Sequence, residues 1–187
     1  MKAFPVQGGA SYSPDYNPVA REGMRRHDGV DVFAPEGTPL VAVDDGFASF
    51  GTDPLGGNVV NLRAPDGARY YYAHLSSFEG GSRQVRAGEV IGRVGTTGNA
   101  AGKPPHVHFE VHPGIGGSSA YAYASLGPSG AVDPFPLLRD APIVHRRGTR
   151  LPADASGETK VVAILAALAV GAYLWSRRAP ARRGARA

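Results

Sequence analysis

Over much of the chain apolar and polar residues alternate singly, and the alternation stops at clusters of Gly, Pro and Asp. The run PPHVHFEVHPG, 104–114, shows this most clearly. Val107, Phe109 and Val111 fall on one side, and His106, His108, Glu110 and His112 on the other. A period of two is that of a strand, whose successive side chains point to opposite faces, and Val and Phe suit a pleated, half-buried surface. The same reading predicts strands at GVDVF (29–33), PLVAV (39–43), GFASFG (46–51), GNVVNLR (57–63), ARYYYAHL (68–75) and EVIGRVG (89–95). Between them lie APEGT, DPLGG, APDG and FEGGS, where Gly permits positive φ, Pro presets φ and Asp bonds its own backbone. No helical period of useful length precedes residue 160. The expected fold is all-β, a small antiparallel barrel or sandwich, with a loop-rich stretch over 114–130 and a Pro-punctuated return, VDPFPLL, over 132–138.

The pattern changes beyond residue 140. Residues 141–160 read as a polar linker, and 161–176 form an uncharged, mostly apolar run, VVAILAALAVGAYLWS. As a helix rising about 1.5 Å per residue, the run to Trp175 spans roughly 22 Å, against a hydrocarbon core of about 30 Å. Lys160 and Arg177 can snorkel at its ends, and Tyr173 and Trp175 stand where an interfacial aromatic belt lies. The expectation is a C-terminal hydrophobic helix that anchors the chain in the cell membrane by a single span. Five arginines follow it in the basic tail, 177–187, so the β domain is expected to face the periplasm or cell wall. The first twenty residues show no secretory signal.

Composition narrows the chemistry. A chain of 187 residues holds one domain with a real core plus a tail, and 26 Gly and 16 Pro without a period suit many short strands and tight turns. The absence of cysteine excludes disulfides and thiolate zinc sites, which leaves His, Asp and Glu to hold any metal. A pI near 9.6 suggests nucleic acid until the charges are placed. Residues 1–159 carry 14 Lys and Arg against 16 Asp and Glu, and the six cations beyond them supply the whole excess. The body is mildly acidic, so a phosphate-tracking groove and a nucleic-acid partner are not expected.

Two imidazoles on one strand face, roughly 7 Å apart at the backbone, can lean onto one metal ion; a polar strand face with no ligand role is the simpler alternative. Other donors decide between them. His27 and Asp31 stand four apart in RRHDGVDVF, with Gly29 between them, where a turn feeds a strand, and His74 ends the strand ARYYYAHL. Glu110 and His112 lie too far along their strand to join an ion held by His27 and Asp31. They are read as ordinary polar positions, with Glu110 placed to orient a neighbouring histidine. Gly95, Gly98 and Gly102 have no strand-to-helix context and no following Lys-Ser/Thr, so they read as a turn approaching the histidine strand rather than a phosphate loop.

Taken in order, His-x-x-x-Asp, a strand-end His and His-x-His resemble the lysostaphin-like, LytM-type zinc metallopeptidases of family M23. The likeness extends through HDGVDVFAPEGTPLVAVDDGFASFG, YYAHLS, VRAGEVIGRVGTTGNAAGKPPHVHFEV and VDPFPLL, from about residue 24 to 138. It implies a duplicated-hybrid-motif-like peptidase domain over 24–140, preceded by an N-terminal extension, 1–23. It also implies one zinc ion, Zn2+, held by His27, Asp31 and His108, with His74 and His106 as the catalytic histidines. No His-Glu-x-x-His helix is present to supply a glutamate base, so proton transfer and oxyanion stabilisation fall to these two. The implied substrate is a peptide of bacterial peptidoglycan, either a cross-link or a bridge, bound between the loops DPLGG, SSFEGGSRQ and 114–130. A non-catalytic cell-wall or regulatory module is the alternative, although such modules typically lack ligands that this chain retains. A lipoyl- or biotinyl-type carrier would need an exposed lysine at its turn, and VDDGF has none.

Overall fold

A computed structural model of the chain describes residues 1–19, 26–114 and 129–145. Ten strands make up two antiparallel sheets: β1 (Ser11–Tyr12), β2 (Val30–Phe33), β3 (Pro39–Val41), β4 (Gly46–Asp53), β5 (Gly57–Arg63), β6 (Arg69–Leu75), β7 (Ser77–Phe78), β8 (Arg83–Val85), β9 (Val90–Arg93) and β10 (His106–His112). The larger sheet runs β1-β2-β10-β6-β5-β4-β8 and the smaller β3-β9-β7. The order is open at both ends, so the fold is two sheets over one core and not a closed barrel. All seven strands expected from the alternation are present. The three that were not expected, β1, β7 and β8, are two or three residues long, too short to show a period.

Period-two burial carries the architecture. Val30 and Val32 of β2, Tyr70 and Tyr72 of β6, and Val107, Phe109 and Val111 of β10 all enter one core with Leu40, Leu62, Leu75 and Ile91. Tyr72 ties the sheets together inside it. Its hydroxyl donates to the Val41 carbonyl at 3.1 Å and accepts the Val43 N–H at 3.0 Å, which satisfies a polar atom that would be costly to bury alone. The turn between β5 and β6 follows its sequence: Asp66 accepts the Ala68 N–H and Gly67 takes a φ of 84°.

The exit VDPFPLL, read as a Pro-punctuated return, contains a short helix, α1 (Phe135–Asp140), with Pro136 in its first turn, where a missing N–H costs nothing. Six residues are too few for a helical period to register. Part of the stretch read as an N-terminal extension packs into the core, with Ala3, Phe4 and Val6 buried and Val41 donating to the Pro5 carbonyl. No helix among the described residues is long and apolar enough to cross a membrane, and the linker beyond 145, the apolar run 161–176 and the basic tail lie outside them.

Candidate metal centre

β10 is not an edge strand. It pairs with β2 on one side and β6 on the other, which sets Asp31 directly opposite His108. The valines of β2 point into the core, so Asp31 points to the open face that carries the histidines. His27 is brought there by backbone bonds in both directions with Asn17, just ahead of β2. Three donor atoms therefore converge. His27 Nε2 lies 3.0 Å from Asp31 Oδ1 and 2.9 Å from His108 Nδ1, and His108 Nδ1 lies 3.1 Å from Asp31 Oδ1.

The outer hydrogen bonds decide where the protons sit. His27 Nδ1 faces the Asp15 carbonyl at 3.0 Å, and His108 Nε2 faces Glu110 Oε1 at 3.1 Å. A carbonyl and a carboxylate only accept, so these two nitrogens carry the protons. That leaves His27 Nε2, His108 Nδ1 and Asp31 Oδ1 as three lone pairs aimed at one point, and protons on both inner nitrogens would collide at 2.9 Å. One cation resolves the frustration. Ligand atoms of a tetrahedral zinc with bonds of about 2.0–2.1 Å stand about 3.3 Å apart, close to the triangle present, so the donor set fits zinc with a fourth position open. Among the described residues, these three are the one His/Asp/Glu group arranged to hold a metal.

The electrostatics point the same way. With no cation bound, protons on the inner nitrogens take its place: burial works against the Asp31 carboxylate, but hydrogen bonds from His108 and His27 then hold it well below the usual carboxylate range. Burial likewise lowers the basicity of His108, and Asp31 with Glu110 more than compensates, raising it to about 9. A pocket that binds a proton this firmly is built for positive charge.

His106 and His74 stand beside the triad, their ring centroids 5.0 Å apart and their planes at 63°. Both are buried, and both give Nδ1–H to a backbone carbonyl, His106 to Pro104 at 2.8 Å and His74 to Thr97 at 2.9 Å. Each is thereby held in the tautomer with a bare Nε2. His106 Nε2 lies 3.8 Å from Asp31 Oδ2. Burial and the neighbouring His106 push His74 down to about 4, which keeps it neutral.

His74 reaches the site only through its backbone. Period two would send it into the core with Tyr70 and Tyr72, but its φ of 69° is left-handed, and the β5–β6 register shifts beside it, between Asn58 and Val60. Its N–H bonds the Gly56 carbonyl at 2.7 Å, which holds the turn in place. A non-glycine residue in this region costs on the order of 1–2 kcal/mol. The His74→Gly protein is therefore expected to resist denaturant better than His74→Ala, by about 1 kcal/mol in metal-free unfolding curves; equal stabilities would show that the backbone is not strained here.

Asp15 and Tyr71 were not singled out in the sequence. Asp15 supplies the carbonyl for His27, and its Oδ1, buried without a hydrogen-bond partner, lies 3.7 Å from Nδ1 of the same ring. Tyr71 presents its ring edge to His108 and donates to Asp53 Oδ2 at 2.7 Å, which places DPLGG beside the site. Gly29 lies under the His108 ring, where an added Cβ would sit 2.4 Å from the Phe109 carbonyl oxygen and under 3 Å from two ring atoms. Tyr71 was recoverable from period two, since it shares the face of His108 across the strand pair; Asp15 had no signal at all. Of the loops expected to line a groove, SSFEGGSRQ contains β7 and β8, and most of 114–130 lies outside the described residues.

An antiparallel β domain that gathers two imidazoles and one carboxylate around a single cation position, with two further imidazoles at its side, has the makings of a metal-dependent hydrolase. The profile of peptidase family M23 matches residues 25–120, more than half of the chain, and the protein belongs to that family. It is 47% identical over 87 residues to the DD-carboxypeptidase/endopeptidase Mpg of Neisseria meningitidis, a match covering 46% of this chain and 20% of that protein. It is 31% identical over 146 residues to the L-Ala–D-Glu endopeptidase of Bacillus subtilis, across 73% of this chain and 42% of that one. Among solved structures, the catalytic domain of the antimicrobial peptidase lysostaphin from Staphylococcus simulans superposes with a TM-score of 0.51 at 33% identity, covering 72% of this chain and 92% of that domain. The chain thus spans about a fifth of the length of the Neisseria protein and nearly all of the lysostaphin catalytic domain.

Proposed function

We propose that the protein is a zinc-dependent metalloendopeptidase that hydrolyses peptide cross-links or bridges of bacterial peptidoglycan. The observation that carries the reading is the convergence of three donor atoms, His27 Nε2, Asp31 Oδ1 and His108 Nδ1, at 2.9–3.1 Å from one another. The names of the relatives, a DD-carboxypeptidase/endopeptidase, an L-Ala–D-Glu endopeptidase and lysostaphin, support the substrate class.

His27, Asp31 and His108 would hold the ion, which when bound supplies Lewis acidity, polarising a peptide carbonyl and making water nucleophilic near neutral pH. His106 is the residue placed to take the water's proton. Its Nδ1–H is fixed on Pro104, its Nε2 is bare, and that nitrogen lies 3.8 Å from Asp31 Oδ2. His74, neutral and tethered to Thr97, offers a second bare Nε2 that orients the attacking water. The proton gained by His106 is then available to the departing amine. A purified protein comprising residues 1–150 is expected to solubilise cross-linked peptidoglycan, to stop when a chelator strips its metal, and to recover on stoichiometric zinc. New amino termini without chelator sensitivity would sink the zinc dependence, and zinc binding without new termini would sink the hydrolysis.

A further inference from the structure

The face that carries His106 and His108 continues beyond the triad. Glu110 Oε1 accepts from His108 Nε2 at 3.1 Å, and its other oxygen, Oε2, accepts from His112 Nε2 at 2.7 Å. All three are same-face neighbours on β10, and none is a free surface group, since the side chains of His108, Glu110 and His112 are 14%, 17% and 10% exposed. An ionised carboxylate only accepts, so both imidazoles donate to it and each of its oxygens is engaged.

We propose that Glu110 and His112 are positioning residues, a carboxylate and its anchor, that hold His108 in the tautomer and ring orientation presenting Nδ1 to the cation. The inference rests on the zinc reading of the triad and adds a second layer to it. The constraint on His108 is two-sided. Glu110 fixes the proton on Nε2, and the ring rests on the bare backbone of Gly29, where any Cβ would strike it. The carboxylate also places a negative charge against Nε2, across the ring from the metal-facing lone pair, which raises the basicity of that lone pair toward a cation. His112 completes the chain by pinning Oε2, so that the carboxylate cannot rotate away from His108. Sequence spacing placed Glu110 to orient a neighbouring histidine; the structure identifies that histidine as His108, on its far nitrogen, and adds His112 as the anchor.

The test uses the wild-type protein with Glu110→Gln, Glu110→Ala, His112→Ala and, as the ligand control, His108→Ala. Zinc affinity is read by competition with a chromophoric chelator, and the His108 tautomer by nitrogen-15 shifts of the metal-free protein above the pH at which His108 loses its second proton. Glu110→Ala is expected to bind zinc about 10- to 100-fold more weakly, the usual cost of losing a ligand's outer partner, and to lose the Nε2–H tautomer. Glu110→Gln, which still accepts from Nε2, is expected to keep the tautomer and lose only part of the affinity, and His112→Ala to show a smaller loss than Glu110→Ala. Should Glu110→Ala fail to fold, Glu110→Gln and His112→Ala carry the comparison. Wild-type affinity and an unchanged tautomer in the Glu110 and His112 variants would overturn the proposal, since a merely structural pair would lower stability alone. A wild type that takes up no zinc, yet shows the Nε2–H tautomer lost in Glu110→Ala, would overturn the zinc reading and leave the positioning chain standing.

Discussion

Replacing Asp31 by alanine is expected to abolish stoichiometric zinc, from one ion per chain to a trace, and to take hydrolysis down with it. Asp31 is the sole anionic donor of the triad, and its Oδ1 faces both metal-side nitrogens at 3.0 and 3.1 Å. Without it, His27 Nε2 and His108 Nδ1 oppose each other at 2.9 Å, an arrangement a single shared proton satisfies as well as a metal does. His27→Ala and His108→Ala should behave alike, because three protein donors with an open fourth position are the minimum of a catalytic zinc site. The rate is expected to fall about 10³-fold or more, since the Lewis acid supplies several kcal/mol of transition-state stabilisation. Metal analysis of the purified variants, beside release of new amino termini from cross-linked peptidoglycan, checks both. Full zinc occupancy in Asp31→Ala would assign the metal to a different donor set.

The second large effect separates holding the metal from using it. His106→Ala is expected to keep its zinc and lose about 10²- to 10⁴-fold in hydrolysis, the range for a general acid–base group. His106 contributes no atom to the donor triangle, and its Nδ1 is committed to Pro104, so its removal leaves the ligands in place. His74→Ala should shift the rate in the same direction with zinc again retained, and the double variant should lose little beyond the worse single one, because residues acting as a unit are not additive. Single-turnover rates at saturating zinc are the measurement. Near-normal turnover by His106→Ala would move the proton-accepting role to His74, and loss of zinc in either variant would recast that histidine as a ligand.

Much of this centre was legible along the chain, and the reasons are local. The strand HVHFEVH announces its two faces because a strand has a period of two and its apolar face has only one place to go, the core. Each of His27, Asp31 and His108 was legible as a candidate donor for the same reason: with no cysteine in the chain, His and acidic residues at strand faces and strand entrances are the available ligands. The all-β class followed from seven such alternations separated by turn chemistry. What exceeded local reading was anything too short to be periodic, namely β1, β7, β8 and the six-residue α1.

The chain by itself therefore determined which residue types sit on which face of which strand, and with them the inventory of donors. Tertiary structure alone decided how that inventory is wired. Pairing of β2 with β10 sets Asp31 opposite His108, a matter of register between segments some 77 positions apart. A left-handed turn at His74, held by Gly56, moves a side chain that alternation assigns to the core toward His106 and His108. The N-terminal segment folds back so that the Asp15 carbonyl fixes the proton of His27. The physical reason is common to all three. Period and composition act through nearest neighbours along the chain, whereas tautomer, register and backbone strain are set by groups that meet only when distant segments are packed against one another.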